Sequence, residues 1–318
     1  DRTLQTATCS STEITSAIFG SQSQILATGN WDGNIQIWHI ETGELHQTLS
    51  DGDRGVLSMA IDPESCALIS GSTDGRIRVW ERVTPTEFAS TPTRIFAGHQ
   101  NIVTTLAVTS DRKILVSGSR DRTVKRWNLK TGELLQILAS HSQPVTAAAI
   151  DSQSRRCATA SLDGTVKIWH LGTGELLRTI VNAGGAVYAV AILTDGCTII
   201  GGSWDGTVKL WNLKTGSLQQ TLGDRSLAIS AIALHPDGTI LAAGSRDATV
   251  KLWNLPAGQN SPRDLPEQTL IGHARGVNAV AFDRKGQVLV SASQDGTIKL
   301  WRCEANVAPD GQCGRASN

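Results

Sequence analysis

Apolar and β-branched residues come in short runs along this chain, separated by clusters of Gly, Asp, Asn, Ser and Thr, and no stretch sustains a helical period. Residues 98–138 show the pattern. Runs at 103–108, 114–119, 124–129 and 133–138 are separated by polar turns at Ser110-Asp111-Arg112-Lys113, Arg120-Asp121-Arg122 and Lys130-Thr131-Gly132. This predicts four short antiparallel strands joined by tight turns. A lone four-stranded sheet cannot bury both of its faces, so it needs a similar sheet on either side.

The chain supplies such neighbours. Seven segments share one spacing, with Asp six residues before Trp: Asp32 and Trp38, Asp74 and Trp80, Asp121 and Trp127, Asp163 and Trp169, Asp205 and Trp211, Asp247 and Trp253, Asp295 and Trp301. Successive Asp residues are 42, 47, 42, 42, 42 and 48 apart, so two units carry insertions, at 83–93 and 256–266. Seven stacked sheets close a ring, which makes the expected fold an all-β, closed seven-bladed β-propeller with four antiparallel strands per blade. The seventh unit has no outer strand after Trp301, whereas residues 4–7 lie one 42-residue period before 46–49, so the N-terminal strand is expected to complete the last blade. The propeller then spans 1–303. Its blades are expected at about 8–49, 50–97, 98–138, 139–180, 181–222, 223–270 and 271–303 plus 1–7, with 304–318 as a C-terminal tail.

These repeats resemble the WD40 family over residues 3–303. Gly98-His99, Ser140-His141 and Gly272-His273 occupy the family's Gly-His position, and each His stands 20 residues before a Ser. The resemblance implies buried, hydrogen-bonded tetrads of His99, Ser119, Asp121 and Trp127; of His141, Ser161, Asp163 and Trp169; and of His273, Ser293, Asp295 and Trp301. In such a set a hydroxyl and an imidazole relay protons between an indole N–H and a carboxylate. Ser10, Gly52, Ala183 and Arg225 replace the His in blades one, two, five and six, Asn30 stands where the other units have Ser, and no third-strand Trp is followed by Asp.

Composition narrows the function. Lys plus Arg and Asp plus Glu both number 29, so no charge surplus points to nucleic acid or an anionic membrane. No apolar run is long enough to span a bilayer, and residues 1–20 lack a signal-peptide pattern. The six cysteines form no C-x-x-C pair, so neither a metal nor another cofactor is expected. Cys66, Cys157 and Cys197 read as buried, reduced thiols at or near strand starts, consistent with a cytoplasmic setting, while Cys303 and Cys313 could clip the tail in an oxidising one. The Ser, His and Asp of the tetrads invite a hydrolytic reading. Their threefold recurrence at one structural register argues for staples instead, and no nucleophile-elbow or phosphate-loop motif is present. No enzymatic activity is expected.

Binding is the better-supported function. The residue before each repeat Asp should project from a turn on one rim, the top face: Trp31, Thr73, Arg120, Leu162, Trp204, Arg246 and Gln294, joined there by Arg54, Asn101, Gln143 and Arg275. Trp and Arg at exposed turns are interface anchors, or else side chains that pack over their own hairpin and shield the Asp. The anchor reading implies a protein or peptide partner bearing acidic or phosphorylated groups. A small ligand in the central channel is the competing function. Both insertions should lie on the opposite face, as solvent loops or as a second contact surface anchored by Phe88. The even 42-residue spacing is similar to that of WD40 arrays in bacterial, cyanobacterial-type multidomain signalling proteins, so a monomeric scaffold module is expected.

Overall fold

The computed structural model describes residues 3–8, 12–20, 23–52, 54–62, 64–138, 141–182, 184–223, 225–255 and 264–302. Every regular element in these residues is a strand, and the 28 strands form seven four-stranded antiparallel sheets. In the third sheet Val103–Val108, Ile114–Ser119, Val124–Asn128 and Leu134–Leu138 follow one another from the inner to the outer edge. The other sheets repeat this meander. The seventh draws its outer strand from the other end of the chain: Thr3–Thr8 runs antiparallel to Thr297–Arg302, with Thr3 opposite Trp301 and Thr8 opposite Thr297. The expected tail at 304–318, together with Cys9, Cys303, Cys313, Ser10, Ser140, Ala183 and most of the 256–266 insertion, lies outside the described residues.

There is no single core. Seven apolar clusters each lie between two neighbouring sheets. Trp127 of the third blade, for example, packs with Ile69, Ile77, Val79 and Phe96 of the second. Each sheet is thus stabilised by its neighbours, as the amphipathic pattern of a single unit requires.

The indoles are anchored by hydroxyls, but by different ones from those expected. Trp127 Nε1 donates to Ser117 Oγ at 2.8 Å, and Ser117 Oγ lies 2.7 Å from His99 Nε2, while His99 Nδ1 lies 2.8 Å from Asp121 Oδ2. Thr159 takes this place between Trp169 and His141, and Ser291 between Trp301 and His273. Ser119, Ser161 and Ser293 are therefore not the tetrad hydroxyls. They sit two residues further along the same strand face, too far towards the turn, where they donate to the carbonyls of Asn101, Gln143 and Arg275 and accept the N–H of Asp121, Asp163 and Asp295.

Trp38 and Trp80 have hydroxyl acceptors in Thr28 and Ser70. In blades five and six the register of Ser117 is held by Gly201 and Ala243, which pair with Lys209 and Lys251 as Ser117 pairs with Lys125, and Trp253 Nε1 is buried with no acceptor. Ala243→Ser is expected to stabilise the protein by about 1 kcal/mol by supplying that acceptor. A urea-unfolding midpoint no higher than wild type would refute it.

Two further sets of bonds join the blades. At the channel, Thr15, Thr104, Thr146, Ser230 and Asn278, each the second residue of an inner strand, donate to the carbonyls of Val56, Val145, Val187, Val277 and Ile14 in the next blade. Leu57 and Tyr188 hold the remaining two positions. At the outer bottom rim, Arg94 donates to the carbonyls of Leu129 and Lys130, and Arg178 to those of Lys214 and Thr215. The 83–93 insertion is fastened in the same way. Phe88 is buried among Ile35, Ile37 and Trp80, and its backbone exchanges two hydrogen bonds with the Gln47 side chain of blade one. Phe88 therefore belongs to an inter-blade core and is not available as an anchor for a partner.

Candidate functional site

The top rim is built by the turns between second and third strands. In the third blade Asp121 Oδ1 accepts from the Thr123 N–H at 2.9 Å and from its hydroxyl at 2.6 Å, while Oδ2 accepts from the Gln100 N–H at 3.0 Å. These bonds pin the turn, so that residue 120 points outward. The same turn places Arg122 and Ala248 at φ 71°, a left-handed position filled by glycine in the other five blades, and both accept that strain within a fixed hydrogen-bond frame.

The electrostatics beneath the rim favour neutral imidazoles over ionised carboxylates. Burial holds His141 and His273 below the ordinary histidine range, against the pull of Asp163 and Asp295. Burial opposes ionisation of Asp121 and Asp295, yet hydrogen bonds from His99 and Thr123 keep Asp121 far below the carboxylate range, and those from Thr297 and Ala274 bring Asp295 to about 2.

In three of the four blades that lack the His, a cation from the third strand pairs with the Asp instead. Lys209 lies 3.0 Å from Asp205, Lys251 3.0 Å from Asp247, and Arg78 2.8 Å from Asp74. Arg78 also stands 2.6 Å from Asp51, whose carboxyl is pushed up to about 7 by burial despite that contact. Sequence reasoning overlooked these cations, although a Lys or Arg two residues before the Trp recurs in six of the seven units.

Above this layer the channel opens into a cavity of about 450 Å³. Trp31, Arg120, Leu162 and Arg246 line it from the turns; Thr15, Leu57, Thr104, Thr146, Tyr188, Ser230 and Asn278 line it from the inner strands; and Glu13 adds one carboxylate, held by Asn278 Nδ2 at 2.8 Å. Trp31 is 41% and Trp204 55% exposed. Arg54, Arg120, Arg246 and Arg275 are also exposed, and among the described residues no carboxylate or carbonyl pairs with any of their guanidinium groups. Of the expected top-face residues, Trp31, Arg120, Leu162 and Arg246 meet at the cavity. Arg54, Trp204 and Arg275 stand outside its lining, and Gln294 is half-buried with its amide on Asn278 at 3.3 Å. The ring that sequence reasoning missed is Tyr188. It sits inside a strand that reads as uniformly apolar, and its signal is the break in a Thr/Ser/Asn series at the second position of each inner strand.

The bottom face offers a contrasting cleft of about 510 Å³ between blades two and three. Most of its charges are already paired: Arg112 lies 2.7 Å from Asp62 and 2.8 Å from Glu64, and Arg94 lies 3.3 Å from Glu81. Such a network clamps neighbouring blades and leaves little charge for a partner. Among the described residues no group of three His, Cys, Asp or Glu side chains could hold a metal ion, and no helix is long and apolar enough to cross a membrane.

The chain matches the WD40 description (WD domain, G-beta repeat) at residues 2–39, 43–81, 90–128, 132–170, 174–212, 216–254 and 265–302. It is 28% identical to WD repeat-containing protein 18 of Danio rerio over 133 residues, which is 39% of this chain and 30% of that protein. It is 26% identical to Protein tipD of Dictyostelium discoideum over 120 residues (38% of this chain, 19% of that protein) and 29% identical to WD repeat-containing protein 37 of Mus musculus over 105 (33% and 20%). The matched stretch is thus less than a third of each relative. All three are eukaryotic, so the expected likeness to bacterial multidomain proteins finds no support in them. With seven matched repeats folded into seven sheets of one strand order, the chain belongs to the WD40 family.

Proposed function

We propose that this protein is a non-catalytic interaction platform whose top face docks an acidic or phosphorylated segment of a partner protein, and that it serves as the docking module of a larger signalling protein. The observation that carries this reading is the pair of acceptor-free guanidinium groups, Arg120 and Arg246, in a mouth flanked by the exposed indoles of Trp31 and Trp204. Arg and Trp at the centre of a partly desolvated depression are the residues that dominate binding energies. The tetrads, by contrast, lie beneath the rim and their hydrogen-bonding groups are consumed within the protein, so their Ser or Thr, His and Asp do not line the cavity.

Two of the three relatives bear WD-repeat names, in keeping with a scaffold role. Cys66, Cys157 and Cys197 are in no disulfide, which suits a reducing, cytoplasmic setting; only Cys157 is buried as expected, Cys66 being half-buried and Cys197 exposed, and burial pushes the Cys157 thiol up to about 12, which makes it inert. A monomeric propeller fits a platform of this kind. The cavity volume favours one second reading, a small anionic ligand seated in the channel mouth.

The test is affinity capture from a lysate with wild type and a variant carrying Trp31→Ala, Arg120→Ala, Trp204→Ala and Arg246→Ala, whose unfolding midpoint must match wild type. Proteins retained by wild type are expected to fall at least tenfold with the variant. Equal retention by both would eliminate the top face as the docking surface, and retention by neither would favour the small ligand.

A further inference from the structure

Arg246 is held from two sides. Its guanidinium carbon lies over the ring of Tyr188 at 5.2 Å and over that of Trp204 at 5.6 Å, and the two rings are 5.9 Å apart and tilted by 39°. Cation–π contact engages the face of the guanidinium and leaves its N–H groups, which lie in the plane, free to donate. Among the described residues they meet no acceptor. A charged group with its orientation fixed, its donors unused and its edge beside a cavity is preorganised for an anion.

Tyr188 strengthens the case because it breaks the repeat. Five of the seven residues at its register bond to the next blade across the channel, a contact worth about 1 kcal/mol. Tyr188 gives up that bond and supplies a ring beneath Arg246. Local departures from an otherwise uniform pattern gather at functional sites. Leu57 is the other departure, and it has no ring to offer a cation.

We propose that the Arg246 edge is a carboxylate site, taking the Asp or Glu side chain of an extended partner segment, with the neighbouring apolar residue of that segment laid on Trp204. This rests on the top-face docking reading and narrows it. Phosphate-binding sites of this type gather several cations around a dianion. The cavity has two, Arg120 and Arg246, borne by blades three and six, and Glu13 opposes additional negative charge. One guanidinium edge matches one carboxylate through two parallel hydrogen bonds.

The test uses protein labelled with ¹⁵N-arginine, the Arg246 Nε–Hε resonance being assigned by its loss in Arg246→Gln. The probes are three octapeptides of one Gly/Ala/Pro/Leu background carrying a single Glu, phosphoserine or Gln next to the Leu. The Glu peptide is expected to shift the Arg246 resonance and to bind about tenfold more tightly than the Gln peptide, a preference that Arg246→Gln abolishes without moving the unfolding midpoint. Equal binding of Glu and Gln peptides, a phosphoserine peptide bound about tenfold more tightly than Glu, or no binding by any of the three would overturn the proposal. If Trp31→Ala and Arg120→Ala abolish capture of a partner while Arg246→Gln leaves it intact, this site fails and the docking face stands.

Discussion

Without residues 1–8 the protein is expected to unfold at a much lower urea concentration and to associate as its concentration rises. The strand Thr3–Thr8 is the outer edge of the seventh sheet, and its removal leaves the Thr297–Arg302 strand with one side of its ladder unpaired. Four residue pairs of backbone register are lost, and the loss should be roughly 3 kcal/mol or more at about 1 kcal/mol for each hydrogen bond. The bare strand also becomes a template for other chains, since a ring otherwise offers only short, protected edges. Urea unfolding and sedimentation velocity measure the two effects. A truncated protein that stays monomeric with an unchanged midpoint would show that the seventh sheet does not depend on its borrowed strand.

Ser117→Ala is expected to cost about 2–4 kcal/mol, because it strands two buried partners, the Trp127 indole N–H and His99 Nε2. Ser117→Thr should be close to neutral, since Thr159 performs the same task in the next blade. Ser119→Ala should cost only about 1 kcal/mol, through the turn bonds it makes to Asn101 and Asp121. The comparison is direct: a Ser119→Ala loss exceeding that of Ser117→Ala in urea or calorimetric unfolding would reverse the assignment of the tetrad hydroxyl.

That assignment also shows where sequence reading succeeds and fails for this protein. The ring was legible because the Asp-to-Trp spacing survives in every unit, and the closing strand because residues 4–7 fall one period before 46–49. The hydroxyl was not. Ser or Asn stands eight residues before every Trp, and that regularity drew attention to Ser119, Ser161 and Ser293. A hydroxyl that partners His need not persist where His is absent. Ser203 and Ser245 do persist in blades five and six, whereas the position two residues earlier becomes Gly201 and Ala243 there. Joint loss in those two blades was the discriminating signal, although Thr28 and Ser70 are kept for the indoles of blades one and two.

At the candidate site, the turn positions of Trp31, Arg120, Trp204 and Arg246 could be read from local chemistry. The stacking of Arg246 on Tyr188 could not, because it joins a turn of one blade to an inner strand of another and leaves no mark in either segment alone. Phe88 illustrates the opposite error: an aromatic residue in a Pro- and Thr-rich insertion looks exposed until the neighbouring blade is built beside it.

The shared clusters between sheets bear on how the ring closes. Each seam joins the trailing face of one sheet to the leading face of the next, so the protein is a heterologous, head-to-tail array carried on a single chain. Such an array closes only when the turns at its seams sum to a full circle, so small angular errors add up around it. The register shift of the closing strand between Leu4 and Ala7 has counterparts in the outer strands of blades one, three, four and five, and bulges in these peripheral strands can take up residual misfit without disturbing any seam.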